Sequence, residues 1–311
     1  MAKISRPRSG SLQYWPRKRA EKAVPRVNWT TIDKKEEGIL GFLSYKVGMG
    51  SAIVKDKTDK SLTANKKIVL PVTILEVPKH KIFSVRFYHG GRVVKDVVVS
   101  NEPILKRIMR VPNKVHEMHA PKEWDEIRLI IYTVMKNMFK KTPTIAEVAI
   151  RGKDALEKVK GLIGKELSLQ DFFKLGLVDV RGLTTGKGLS GPVKRFGISL
   201  KFHKSEKGVR RPGSLAPWHP ARVTFRAPMA GQLGMFTRVQ NNLKIMAQGT
   251  SGQGFIKENQ VFKNYGIVGG DYIVVKGSVQ GPAKREILIT PAFRPTRKTA
   301  KKNYELVELK V

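Results

Sequence analysis

Hydrophobic and polar positions divide the chain into three stretches of different texture. The first, from 38 to 100, has short apolar runs rich in β-branched side chains, separated by glycines and polar residues. Such runs predict strands. Proline at position 71 suggests an edge position or a bulge for its strand. The predicted strands cover 38–54 (two strands with a turn near 48–51), 66–77, 81–88 and 93–99.

The second stretch, 101–175, has a helical texture. Apolar residues recur at helical spacing from Pro121 to about Lys141, with acidic residues in the first turn and lysines in the last. This spacing predicts a helix whose end charges suit its dipole. A strand at 144–150 and short helices at 154–162 and 168–175 should follow. We interpret the stretch as an inserted α/β lobe.

The third stretch returns to short apolar runs around one long irregular segment. Many short strands with glycine turns, and no alternation of strand and helix, predict a β-barrel and a mostly β fold class with an α/β insertion. The predicted strands are 178–183, 243–246, 254–261, 271–275 and 287–289, and 304–311 is a short end with alternating apolar residues. The predicted divisions are a basic N-terminal extension (1–37), the first part of the barrel (38–100), the lobe (101–175), the second part of the barrel (176–293, with a long basic loop at 186–235) and a basic C-terminal segment (294–311).

The net charge is the feature of the composition that most restricts the possible partners. The 311 residues contain 60 Lys and Arg against 25 Asp and Glu, a formal charge of +35, so the expected partner is a polyanion. There is no cysteine, which excludes disulfides, thiol chemistry and cysteine-ligated zinc. No apolar run is long enough to span a membrane, and no amphipathic basic helix suits a membrane surface. We therefore expect no membrane partner; no homo-oligomer is expected either.

The charge concentrates in two segments. Residues 181–238 hold twelve Lys or Arg and one acid, Glu206, on a backbone rich in glycine and proline. A segment of this kind cannot fold around its own apolar core, and its interleaved aromatic residues suit RNA. The first 26 residues carry eight Lys or Arg, and Trp15 and Trp29 lie in the same extension. We expect this extension to order against nucleic acid; a solvated tail is the alternative.

Residues 186–191 read G-x-G-x-x-G after a predicted strand. A dinucleotide site would need a helix to follow and an acidic residue about 20 positions on. Pro192 follows instead, without a helical period, so the dinucleotide interpretation is disfavoured. Glycines also let backbone approach phosphates, with Lys187, Lys194 and Arg195 as counter-charges. A bare turn is the alternative.

Trp218 and His219 lie between two prolines on the basic loop. This arrangement predicts a stiff tip whose rings stack on bases, with a small local hydrophobic cluster as the alternative. His116 and His119 lack an evident third metal ligand. No catalytic triad or carboxylate pair can be argued, so we expect no enzyme active site and no cofactor.

Residues 172–195, FFKLGLVDVRGLTTGKGLSGPVKR, closely resemble the signature of the universal large-subunit ribosomal protein L-three family. Residues 41–49 and 229–234 are similar to other segments of that family. The SGSLQYWPRKRA segment and Trp218-His219-Pro220 resemble its archaeal and eukaryotic branch, and the length favours an archaeal-type member. The matching signature positions are Phe172, Asp179, Gly182, Thr184, Gly186, Lys187, Gly188, Gly191 and Arg195.

The resemblance implies a translation-protein type β-barrel with an inserted α/β lobe, an extended basic N-terminal tail and a long internal RNA-penetrating loop. It implies a structural protein of the cytoplasmic large ribosomal subunit that binds ribosomal RNA and supports early assembly. Trp218 would mark the loop tip near the peptidyl-transferase centre. Neighbouring subunit proteins, such as ribosomal protein L-fourteen, would be partners.

The predicted RNA-binding residues are mainly basic residues of the two charged segments. They are Arg6, Arg8, Trp15, Arg17, Lys18, Arg19, Lys187, Lys194, Arg195, Lys201, Lys204, Arg210, Arg211, Trp218, His219, Arg222, Arg226 and Arg238.

Other functions remain open on sequence alone: a non-ribosomal RNA- or DNA-binding barrel protein, an RNA-modifying enzyme using the glycine loop, or a membrane-surface protein.

Overall fold

The computed structural model describes residues 13–32, 37–115, 117–136, 138–152, 154–172 and 176–311. The chain forms two compact units. The small unit combines Met1–Glu21, described from Gln13 onward, with Thr184–Thr237. The large unit combines Lys22–Leu183 with Arg238–Val311.

Most regular structure is β-strand, which confirms the mostly β class. The helices are α1 (Ala155–Leu162), α2 (Pro192–Phe196) and α3 (Arg297–Ala300), with 3-10 segments at Trp29–Thr31, Pro103–Arg107 and Leu169–Asp171. The strands are β1 (Gly38–Ile39), β2 (Phe42–Asp56), β3 (Lys67–Val77), β4 (His80–His89), β5 (Arg92–Val98), β6 (Glu126–Thr133), β7 (Ile145–Arg151), β8 (Leu177–Leu183), β9 (Leu189–Ser190), β10 (Gly231–Gln232), β11 (Thr237–Thr250), β12 (Val261–Phe262), β13 (Gly266–Ile267), β14 (Asp271–Lys276), β15 (Glu286–Pro291) and β16 (Tyr304–Lys310).

The larger sheet of the large unit closes on itself. Its strand order is β15-β8-β11-β14-β3-β2-β16, and β15 also pairs with β2, so six strands form a ring. The long strand β2 makes this possible because its two halves have different partners. Phe42–Tyr45 pairs with β15, whereas Ser51–Asp56 pairs with β16. A register shift between Lys46 and Gly48 separates the two halves.

A second, five-stranded antiparallel sheet has the order β1-β7-β6-β4-β5. One hydrophobic core lies between the two sheets of the large unit. It joins Leu43 of β2 and Leu288 of β15 to Val85 of β4 and Leu129 of β6, all at most 1% exposed. Val159 of α1 belongs to the same core. The two sheets and α1 therefore stabilise each other by shared burial of apolar surface.

The predicted helix at 121–141 is wrong. Residues Glu126–Thr133 form strand β6, in which Ile127, Leu129 and Ile131 are buried in alternation with less buried neighbours. The spacing of the apolar residues in this stretch matches the helical period in part and the strand period in part. The flanking strands β4 and β7, which hydrogen-bond to β6 on both sides, make it a strand.

Three smaller predictions also need correction. There is no turn at 48–51, because strand β2 continues through these residues. Of the predicted strand at 254–261, only Val261 lies in a strand. The helix at 168–175 is a 3-10 turn, Leu169–Asp171, with a Ser168–Asp171 capping box; residues 173–175 lie outside the described part. The helix at 154–162 is confirmed as α1.

Pro71 lies where strand β3 pairs with β2 alone, a local edge in a strand that is otherwise interior. Strand β3 has β14 on one side and β2 on the other, but its pairing with β14 ends at Val72. The carbonyl of Pro71 accepts the N–H of Gly277 at 2.8 Å, just beyond that end. The missing proline N–H therefore removes no bond of the β3–β14 ladder.

Trp29, which we expected to order against nucleic acid, is a core residue. Its side chain is 1% exposed and belongs to the core cluster of the large unit. Its carbonyl accepts a hydrogen bond from Arg151 Nη2 at 3.0 Å, and that of Ile32 accepts one from Arg151 Nη1 at 2.8 Å. The segment around Trp29 is thus tied to β7.

His80 is the fully buried titratable group of β4. The Leu43 N–H donates to His80 Nε2 at 3.0 Å, which requires a neutral ring with its hydrogen on Nδ1. Burial lowers the His80 pKa to about 3. Because this value lies below the ordinary 6.5, the neutral ring supports folding above pH 6.5, and that support is lost as the pH falls toward 3.

We therefore expect the His80→Gln variant, whose amide oxygen can still accept from Leu43, to be less sensitive to acid. Between pH 7 and pH 4, wild type should lose up to about 3 kcal/mol more stability than the variant. Urea unfolding of both proteins at several pH values measures this difference. Parallel pH profiles for the two proteins would contradict the assignment.

Candidate nucleic-acid interface

The glycine-rich segment forms the base of the basic loop. Its two arms pair through β9 and β10, with Ser190 opposite Gly231. The Lys187 N–H donates to the Leu233 carbonyl and the Leu233 N–H to the Gly188 carbonyl, each at 2.9 Å. The arms leave and return side by side, so the base is a hydrogen-bonded structure rather than a bare turn.

Gly234 makes this close pairing possible. Its φ of +78° is a left-handed conformation that favours glycine. A Cβ atom there would lie 2.0 Å from the Thr185 carbonyl oxygen of the opposite arm. Any side chain at 234 would push the arms apart.

A one-turn helix follows the glycines, contrary to the expected absence of helical structure. Helix α2 starts at Pro192, whose fixed φ suits the first helical position. It ends at Gly197, which has a φ of +66° and donates its N–H to the Val193 carbonyl at 2.8 Å. The sequence pattern missed it because five residues are too few to show a period.

Arg195 holds the base together. Its Nε donates to the Gln232 carbonyl at 2.9 Å, its Nη1 to the Met229 carbonyl at 3.0 Å and its Nη2 to the Arg17 carbonyl at 2.9 Å. Arg17 Nη1 donates in return to the Arg195 carbonyl. A Cβ at Gly231 would lie 2.8 Å from the Arg195 guanidinium. We call this arrangement the arginine clamp; it gives Arg195 a positioning role that we had not predicted.

The N-terminal segment packs on the same base. The Trp15 ring stacks on Phe196, with centroids 5.2 Å apart, and meets the edge of Phe225 at 6.1 Å. The Arg17 guanidinium lies 4.3 Å from the centre of the Phe196 ring. The Ala20 N–H donates to the Met235 carbonyl at 2.9 Å. Trp15 and Arg17 therefore build the small unit, whatever else they contact.

Beyond the base, 197–230 contains neither helix nor strand. A few local hydrogen bonds order it, such as Lys201 N–H to the Val209 carbonyl at 2.9 Å. Among the residues that the structure describes, no ion pair joins its predicted basic residues, or those of the base, to a carboxylate. The exposed predicted cations are Lys187, Lys194, Lys201, Lys204, Arg210, Arg211, Arg222 and Arg226.

The tip residues are open to solvent. Trp218 is 89% exposed, and its ring meets the His219 ring edge-on at a centroid distance of 6.1 Å. A tryptophan this exposed does not belong to a local hydrophobic cluster, so that alternative is wrong. An exposed aromatic ring on a basic loop is available for stacking on an unstacked base.

The remaining predicted residues have more varied positions. Lys18 and Arg19 are exposed in the small unit, and Arg238 is half-buried in the large unit. Arg6 and Arg8 lie outside the described residues. Phe202, which was not among the predicted residues, is 68% exposed and packs on His203 at a centroid distance of 4.3 Å. The sequence feature that could have identified it is an aromatic residue between lysines, in a segment with no helical or strand period.

Asp179 of the signature has a structural role in the large unit. It is 2% exposed, and its Oδ1 accepts the Asn242 N–H at 2.8 Å while its Oδ2 accepts the Phe293 N–H at 3.1 Å. Arg181, on the same strand, donates to Thr290 Oγ1 and lies 4.3 Å from the Phe293 ring centre. These contacts hold two separate segments against β8, one at Asn242 and one at 290–293.

Within the described ranges, no three His, Asp or Glu side chains come together to hold a metal ion. His116 lies outside those ranges, so the predicted absence of a site at His116 and His119 stays a prediction. No described helix combines the length and the apolar character that crossing a membrane requires.

The fold and the exposed cations define a class: a mostly β protein that carries a basic, irregular loop for a polyanion. A model of the ribosomal protein L3 family matches residues 1–98 and 109–311. The large ribosomal subunit protein uL3 of Methanothrix thermoacetophila is 37% identical, over 95% of this chain and 93% of its own length. The uL3 proteins of Methanocaldococcus jannaschii and Methanococcus aeolicus are each 38% identical, over 94% of this chain and 92% of their own lengths.

The chain belongs to the ribosomal protein L3 family. This confirms the resemblance that the signature suggested, including its archaeal relatives. It makes the chain a structural, non-enzymatic protein of the large ribosomal subunit, which is a cytoplasmic particle. Ribosomal RNA and other ribosomal proteins are its partners.

Proposed function

We propose that the small unit is the part that enters ribosomal RNA and that the large unit carries it. The supporting observation is the set of eight exposed cations on the loop and its base, which have no carboxylate partner among the described residues. Over 13–21 and 184–237, thirteen Lys or Arg face two acids. Such a charge excess favours phosphates, because each neutralised phosphate releases counterions.

Further parts of the proposal come from the family. The closed ring of strands is a translation-protein type barrel, and 101–175 is its inserted lobe. The chain supports early assembly of the subunit, and ribosomal protein L14 is one neighbour. Trp218 lies at the loop tip, near the peptidyl-transferase centre. Its exposure supports contact with RNA there, because unstacked bases pack on aromatic rings.

Sedimentation of a cell lysate through sucrose after a high-salt wash tests the proposal. We expect the chain to travel with the large subunit under salt that removes loosely held basic proteins. If the chain stays at the top of the gradient, or follows DNA, a non-ribosomal RNA- or DNA-binding function replaces the proposal.

Neutralising a loop cation should change the salt dependence of RNA binding. For Lys187→Gln or Lys194→Gln, we expect the slope of log affinity against log salt to become shallower by about one unit, because one phosphate contact is lost. Filter binding to large-subunit RNA at several salt concentrations measures the slope. Lys60→Gln, an exposed lysine of the large unit, is the control. Unchanged slopes would limit Lys187 and Lys194 to shaping the turn.

Removing the tip ring should alter function without altering the fold. For Trp218→Ala, we expect a stability change within about 0.5 kcal/mol, because the ring is exposed. Ribosomes that contain the variant should elongate more slowly and respond differently to inhibitors of peptide-bond formation. Translation assays with purified variant ribosomes measure both. Equal elongation rates and equal inhibitor sensitivity would contradict a position of Trp218 near the peptidyl-transferase centre.

A further inference from the structure

We propose that a pocket in the small unit binds one unstacked nucleobase of RNA together with its phosphate; the inference rests on the proposed function. The pocket has a volume of about 240 Å³. This is below the usual range of about 300–1,000 Å³ for sites that enclose a drug-sized molecule. The space suits a single planar ring system rather than a larger ligand.

The pocket walls are apolar and stiff. Pro192, Pro212 and Pro228 come from three separate parts of the loop, and Leu215 and Met229 complete the lining. Proline rings have a fixed φ, so these walls lose little conformational freedom when a ligand binds. Flat apolar walls are what the face of a base packs against.

The arginine clamp holds two of these walls in place. Pro192 is the first residue of α2, and Arg195 lies on the same helix. Arg195 Nη1 donates to the carbonyl of Met229, at 3.0 Å. The pocket is therefore formed by the same contacts that close the base of the loop, before any ligand binds.

Two arginines give the pocket its charge. Arg210 and Arg211 both line it and are both exposed, and neither has an ion pair within the described ranges. None of the described residues that line the pocket is acidic. A nucleotide matches this combination: its base meets apolar walls or a guanidinium plane, and its phosphate pairs with an arginine. An apolar peptide segment would leave both arginine charges unmatched.

Filling the pocket tests the proposal in the full-length protein. We expect Leu215→Trp to weaken binding to large-subunit RNA on the order of tenfold, since stacking on one base is lost. The salt slope should stay unchanged, because no phosphate contact is removed. Leu200→Trp, the same substitution at a loop leucine that is 55% exposed and outside the pocket, should bind as wild type does. Equal affinities for the two variants would overturn the proposal.

Two further variants keep the test valid if Leu215→Trp distorts the loop. Arg210→Gln and Arg211→Gln change exposed side chains only. At least one of them should weaken binding and make the salt slope shallower by about one unit, because the phosphate of the bound nucleotide loses its partner. If both variants keep wild-type affinity and slope, the pocket does not hold a nucleotide.

Cross-linking identifies the occupant. The photoreactive residue p-benzoylphenylalanine replaces Leu215, and the variant is incorporated into ribosomes and irradiated. A cross-link to one nucleotide of ribosomal RNA is the expected result, and a cross-link to a protein overturns the proposal. So does an RNA cross-link from position 200 with none from 215. Failure of the proposed function looks different, because wild type would then not sediment with the large subunit.

Discussion

Replacing Trp29 by alanine should destabilise the large unit by about 3–5 kcal/mol, the usual cost of removing a large buried aromatic side chain. Trp29 is 1% exposed. It packs so closely on the β1–β2 junction that a Cβ at Gly41 would lie 3.0 Å from its Cη2. No smaller side chain fills that space, so the variant retains a cavity. Urea unfolding measures the loss.

Trp218→Ala is the matched control for this prediction. The substitution is the same, but the ring is 89% exposed, so stability should hardly change. The salt slope of RNA binding should be the same for Trp29→Ala and wild type under conditions where both are folded. A Trp29→Ala protein that keeps its stability but binds RNA more weakly would indicate that Trp29 contacts RNA and is not a core residue.

Replacing Arg195 by lysine should open the arginine clamp although the charge is kept. An ammonium cannot reach the Gln232, Met229 and Arg17 carbonyls together, because they are arranged around a planar guanidinium. Hydrogen bonds to a charged group contribute about 1.5–3 kcal/mol each, so losing even one is measurable. We expect the base amides of Lys187 and Leu233 to exchange with solvent at least about tenfold faster.

Lys194→Arg is the control for the clamp, because it conserves charge at the neighbouring exposed position. Amide exchange in that variant should match wild type. RNA affinity of Arg195→Lys should fall while its salt slope stays the same, since the number of charges is equal. If exchange is unchanged and only Arg195→Gln weakens RNA binding, Arg195 acts as a phosphate contact and not as a clamp.

Local sequence was sufficient where a strand is short, apolar and bounded by turns. Strands β8, β14 and β15 were predicted within two residues, because short apolar segments that contain β-branched side chains favour strands. The 121–141 region failed because its apolar spacing fits two periods. Only the neighbouring strands β4 and β7, from distant parts of the chain, decide between them.

The site shows the same limit in another form. Sequence predicts where positive charge is concentrated, because charge is a property of each residue. It does not predict which cations are already used inside the protein. Arg195 and Lys194 look alike in the sequence, yet Arg195 bonds three carbonyls and Lys194 is exposed. Trp29 and Trp218 likewise both lie near prolines and basic residues in the sequence. Only the packing of the folded chain shows that one is buried and the other exposed.

The position of β15 in the sequence has a consequence during synthesis. This strand closes the ring by pairing with both β2 and β8, and it follows both in the chain. Until 286–291 leaves the translating ribosome, β2 and β8 of the nascent chain keep unpaired edges, which are prone to aggregation. The small unit at 184–237 emerges before that strand. Its cations can therefore attract RNA while those strand edges are still unpaired.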